Sequence, residues 1–98
     1  MAWTIIWEDE NGVVIRKLQR ELTISNSANL YSDNFRVLKY IDPHGDTTFN
    51  RMMLQDLISD LTELRNYQGK EENISQEIIE LVTECQRQVH TYIKFYGE

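Results

Sequence analysis

One cysteine in 98 residues excludes an internal disulfide and a cysteine-only zinc site within the chain. A single proline and four glycines leave no linker-like tract, and the composition is that of a globular chain, not a disordered one. No apolar run approaches the roughly 18 residues of a membrane span. The first residues, Met-Ala-Trp-Thr-Ile-Ile-Trp-Glu, lack the positive and apolar regions of a signal peptide. A cytoplasmic protein is therefore expected. Functional motifs are missing too: there is no Gly-rich phosphate loop, no H-E-x-x-H and no G-x-S-x-G. No catalytic residue, cofactor or metal is assigned on these grounds, and a non-enzyme is expected.

Positive charge is also scarce. Ten Lys and Arg face 16 Asp and Glu, a formal net charge of −6. Phosphate backbones are bound chiefly through Lys and Arg, so this balance disfavours nucleic acid and favours a basic protein partner. The chain length suits one domain, with a β-rich half over residues 1–49 and a two-helix half over residues 50–98.

Hydrophobic patterning supplies the elements. Trp3, Ile5 and Trp7 alternate on one face of a first strand, since side chains in a strand point to opposite sides in turn. Asn11 and Gly12 tolerate positive φ and predict a type I′ hairpin turn. The return strand starts at Val13, Val14 and Ile15 and runs on to Leu22, Thr23 and Ile24. Residues 25–34 have no apolar period and read as a loop. Phe35, Val37 and Ile41 lie in a predicted third strand. Asp42, Pro43, His44 and Gly45 match a type I turn, and Thr47, Thr48 and Phe49 a short fourth strand paired with the third. The expected fold class is α+β: an antiparallel sheet of three to four strands in chain order, with two antiparallel helices on one face.

Asn50 is the predicted N-cap of the first helix, with Phe49 and Leu54 as its hydrophobic staple. Leu54, Leu57, Ile58, Leu61 and Leu64 form its apolar stripe, and Gly69 is the expected breaker. A second helix is expected to start between residues 71 and 75. Its seam of Ile78, Val82, Cys85, Val89, Tyr92 and Tyr96 steps by four and three, which predicts about five turns or more.

Candidate sites are few. Asp42, His44 and Asp46 carry metal-binding groups two residues apart, yet Pro43 and Gly45 make a structural turn the stronger reading. An EF-hand would need more oxygen ligands and a late Glu. Cys85 falls on an apolar seam, where free cysteine behaves as a small hydrophobe. His90 lies about 500° further round that helix and cannot serve Cys85 as a base. Arg16, Lys17, Arg20, Arg36 and Lys39 could form a basic patch beside strand aromatics, as in single-stranded RNA binders, but the overall acidity opposes it. Trp3 and Trp7 read as core anchors. Asp56, Asp60, Glu63, Glu77, Glu80 and Glu84 lie on the helices and form the preferred contact surface for a basic partner.

Residues 40–50 read Y-I-D-P-H-G-D-T-T-F-N. This stretch resembles a group of small bacterial proteins that carry D-P-aromatic-G-D-T-x-F-N before an amphipathic helix. Many of them end as this chain does, in F-x-G followed by an acid. The resemblance covers about the last two-thirds of the chain and implies a bacterial source and a shared fold, with no established activity. His44 stands where the group has an aromatic residue. Size and acidity also resemble the immunity partners of bacterial toxins, an analogy of composition alone. The function expected from the sequence is a non-enzymatic protein-binding module, immunity- or antitoxin-like. The alternatives are a metal-binding or enzymatic module at the Asp42-to-Asp46 turn and a single-stranded RNA binder, and a homo-oligomer is left open.

Overall fold

The computed structural model describes residues 2–24, 34–68 and 74–97. The strands are β1 (Ala2–Asp9), β2 (Val14–Lys17), β3 (Leu22–Thr23), β4 (Asp46–Phe49) and β5 (Thr91–Gly97). The helices are α1 (Leu54–Gln68) and α2 (Ile74–Gln86), with single 3₁₀ turns at Leu38–Tyr40 and Arg51–Met53. The fold is α+β, as the sequence predicts. All strand pairs are antiparallel, in the order β2-β1-β5-β4, with β3 also on β1.

The order departs from the expected chain order because the C-terminal residues form the central strand. Thr91, Ile93 and Phe95 are buried in alternation, while Tyr92, Lys94 and Tyr96 lie on the other face. Seven residues of β5 pair with β1, from Trp3↔Gly97 to Asp9↔Thr91. On its other side Phe49↔Ile93 to Asp46↔Tyr96 join β4. The predicted long second helix is thus corrected: it ends at Gln86, and residues 50–98 include a strand. Thr, Tyr, Ile and Phe fit a pleated surface better than a helix, where β-branched and aromatic side chains lose rotamer freedom.

The first hairpin forms, but not with the predicted type I′ turn. Gly12 has φ +79° and Asn11 is not in the positive-φ region. The Gly12 N–H donates to Asp9 O (3.0 Å), and the Asp9 N–H to Val13 O (2.9 Å). This is a type I turn closed by a left-handed glycine. Asp9 favours it, because its Oδ1 accepts from both the Asn11 and Val13 amides at 2.9 Å. The return segment is split into β2 and β3, which pair with opposite ends of β1.

The predicted third strand is also corrected. Phe35, Leu38 and Ile41 are buried at a spacing of three, and residues 38–40 form a 3₁₀ turn. The cause lies on α1. Asp60 is 2% exposed, and its two oxygens both accept from the Arg36 amide at 3.0 Å. Its Oδ2 also takes the amides of Val37 (2.7 Å) and Leu38 (3.0 Å). Three successive N–H groups converge on one carboxylate, which a strand ladder could not allow. The predicted fourth strand exists as β4, but it pairs with β5.

Asn50 caps the helical segment as expected, its Oδ1 accepting the Met52 amide at 3.1 Å. The α1 residues Leu54, Leu57, Leu61 and Leu64 and the α2 residues Ile74, Ile78, Leu81, Val82 and Cys85 are buried against Trp3, Ile5, Trp7, Ile93 and Phe95. Phe49 and Phe95 meet edge to face at 5.2 Å. Gln55 with Gln86, and Arg65 with Gln76, link the helices in an antiparallel sense. The expected breaker Gly69, the loop over residues 25–33 and residues 71–73 lie outside the described residues.

Asp60→Ala removes the acceptor of three amides, at least one of them buried, and should cost about 3 kcal/mol. Urea unfolding of the variant measures this. A loss below about 0.5 kcal/mol, the range of neutral surface changes, would remove Asp60 as an anchor.

Candidate functional site

The Asp42-to-Asp46 segment is a clamp. Asp42 Oδ1 accepts the His44 amide at 2.8 Å, and the Asp42 amide donates to Thr47 Oγ1 at 3.2 Å. Asp42 O accepts the Trp3 indole N–H at 2.9 Å, and Gly45 O accepts the Gly97 amide at 2.9 Å. A Cβ at Gly97 would collide with Asp42 O and lie 2.6 Å from the Pro43 carbonyl carbon. Residues 42–46 and the end of β5 therefore touch. Asp42 serves its own turn, and no group of three or more His, Cys, Asp or Glu able to hold a metal occurs among the described residues.

The six acidic helix residues do not form one open face. Asp60 is buried, which corrects its place on a contact surface: its carboxylate is occupied by the backbone of residues 36–38. Asp56 pairs with Arg36, Glu77 with Arg20 and Glu84 with Arg16, at 3.0, 3.1 and 3.0 Å. Glu63 and Glu80 remain exposed. Three arginines of the supposed basic patch are thus held by the same helices. Each pair is partly solvated and contributes little stability.

The open face of the sheet centres on Lys94 and Glu8, 3.0 Å apart and only 21% and 14% exposed at their side chains. Lys94 Nζ also lies 5.5 Å from the Tyr96 ring centroid. The Glu8 contact raises the Lys94 pKa, against the opposing effect of burial. On the other face Cys85 is buried, its Sγ 3.3 Å from Thr91 Oγ1. Burial pushes its thiol above the usual 9.0, and the Thr91 hydrogen bond opposes this.

An open concavity lies at the end of the sheet where two turns converge. Asn50, Arg51 and Met52 form one wall and Val89, His90, Thr91 and Tyr92 the other, around a cleft of about 510 Å³. Its local construction follows from the chain. The Asn50 cap starts a 3₁₀ turn that projects Met52 outward, 90% exposed. At the opposite wall, the Arg87 and Gln88 amides close onto Glu84 O and Cys85 O at 3.1 Å, ending α2. His90 then adopts φ +61° and redirects the chain into β5, leaving Val89 58% exposed. His90 Nδ1 is 3.4 Å from Glu10 Oε2, which ties the β1–β2 turn to this wall. Sequence reasoning missed Met52 and gave Val89 to a helix seam. The available signal was Met52 itself, which follows the cap and falls outside the Leu54-to-Leu64 stripe.

These features define an α+β module with an apolar cleft at one end of its sheet. No protein-family model, curated protein or solved structure matches the chain. Among the described residues no helix is long and apolar enough to cross a membrane.

Gly97→Ala should lower stability by about 1–3 kcal/mol, the usual cost of overpacking. Thermal unfolding reads this, and an unchanged midpoint would contradict the clamp. A second outcome follows from the raised pKa of Cys85. The fold favours the neutral thiol, so its contribution is complete below the unfolded pKa and lost as pH rises through the folded one. Stability should therefore fall above about pH 9. Raised Lys94 acts in the same direction at higher pH. Urea midpoints across this range should decline less steeply in Cys85→Ala, and an identical slope would contradict the assignment.

Proposed function

We propose that the chain is a non-catalytic protein-binding module that meets a basic protein at the cleft between residues 50–52 and 89–92. The observation that supports this reading is the exposure of Met52 and Val89 on its two walls. Exposed apolar side chains around a concavity are where interface anchors concentrate. Methionine adapts its shape to a partner at small cost. The net charge of −6 supports a basic partner by long-range attraction, while the cleft supplies contact. An immunity- or antitoxin-like role suits this size and charge by analogy. The internal pairing of Asp56, Glu77 and Glu84 moves the preferred contact surface away from the helical face.

Affinity capture from the source cell tests this reading. The wild-type chain should retain a basic protein, and association should slow as salt rises. Met52→Glu with Val89→Glu should weaken retention at least about tenfold, the loss of a central anchor. Because both side chains are exposed, circular dichroism should be unchanged. Full retention by the double variant, or no specific partner of the wild type, would overturn it.

A further inference from the structure

The charge on the cleft walls is opposite in sign to that of the chain. The sequence has 16 Asp and Glu, yet none of the described residues that line the cleft is one of them. Arg51 stands on one wall and His90 on the other. Elsewhere Arg16, Arg20 and Arg36 are each held by a helical acid. The exposed Arg51 side chain has no ion pair or hydrogen bond among the described residues. The acid tied to the far wall, Glu10, is turned to His90 Nδ1 at 3.4 Å and not to Arg51. An unpaired guanidinium therefore adjoins the exposed Met52 in a cleft without acids.

We propose that the partner segment entering this cleft is a large apolar side chain with a carboxylate next to it. This rests on the protein-binding reading of the cleft and adds what the partner presents there. Met52 and Val89 cover the apolar side chain, and the Arg51 guanidinium takes the carboxylate through its fork of N–H donors.

Three features select this occupant. A small free ligand is normally enclosed over roughly 70% or more of its surface, whereas Met52 and Val89 are 90% and 58% exposed, walls that suit part of a larger surface. Phosphate-bearing motifs are generally taken by clusters of arginine, and Arg51 is the only Arg or Lys among the described residues lining the cleft. A lysine or arginine seated there would meet Arg51 as a like charge. The net charge of −6 still draws a basic partner from a distance, while the carboxylate acts at contact and fixes which segment seats.

Titration of the full chain with blocked dipeptides, read by the amide chemical shifts of residues 50–52 and 89–92, tests this. Acetyl-Phe-Asp-amide should shift both walls, with a dissociation constant on the order of millimolar. Acetyl-Phe-Asn-amide lacks only the charge and acetyl-Ala-Asp-amide only the ring, and each should bind about tenfold more weakly. Arg51→Ala should abolish the preference for Asp over Asn, and Arg51→Lys should keep part of it. Both variants should leave circular dichroism unchanged, because the side chain is exposed and unbonded. No shift with the Phe-Asp peptide, equal binding of the Phe-Asn peptide, or an Asp preference that survives Arg51→Ala would each overturn the proposal. In affinity capture, Arg51→Glu should weaken partner retention about tenfold. Retention lost in the double variant at Met52 and Val89 but kept in Arg51→Glu would overturn the carboxylate and leave the protein-binding reading standing.

Discussion

The fold depends on the insertion of β5 between β1 and β4. Without it, β1 would keep only β2 and β3, and β4 would have no strand to join. A two-stranded hairpin is marginal in water. The interior strand also delivers Ile93 and Phe95 to the core and Thr91 to Cys85. This pairing joins residues at opposite ends of the chain, so its loop-closure entropy must be met late, by burial already largely organised. Gly97 completes the arrangement by letting β5 run under the Asp42 turn, where Trp3 is bonded as well.

Internal charge pairing shapes the surface left for binding. Asp60 organises residues 36–38, and three further helical acids hold arginines from the first half of the chain. The net charge survives as a long-range field, while three of the helical acids are matched locally by arginines. Exposed apolar side chains among the described residues include Met52 and Val89 at the cleft and Val13, Val14 and Ile15 at the start of β2. Both groups lie where the sheet meets its turns, and Glu10 with His90 joins those turns.

Much of the architecture was legible because its signals are local. Trp3, Ile5 and Trp7 alternate, Asn50 caps, and the Leu54-to-Leu64 stripe has helical spacing, and each reading matches the structure. Two errors have physical causes. Val89, Tyr92 and Tyr96 continue the spacing of α2 by coincidence, and no Gly or Pro marks its end; His90 supplies the positive φ instead. The alternation of Thr91, Ile93 and Phe95 was equally present and has the better strand composition. Residues 35–41 are apolar enough for a strand, but Asp60, more than twenty positions away, takes the amides a ladder would need. Neither this long-range bond nor the cleft, built from two separate segments, leaves a pattern in any one stretch. The Asp42 turn was read correctly in kind, while its contact with Gly97 required the tertiary fold.

Amide hydrogen exchange along residues 91–97 tests the central role of β5 most directly. A strand bonded on both sides protects consecutive amides, since successive N–H groups point to β1 and β4 in turn. The amides of Ile93, Lys94, Phe95 and Tyr96 should all exchange only through global unfolding, with free energies equal to that from urea denaturation. Protection of alternate amides only, or exchange as fast as a fraying terminus, would contradict a central C-terminal strand.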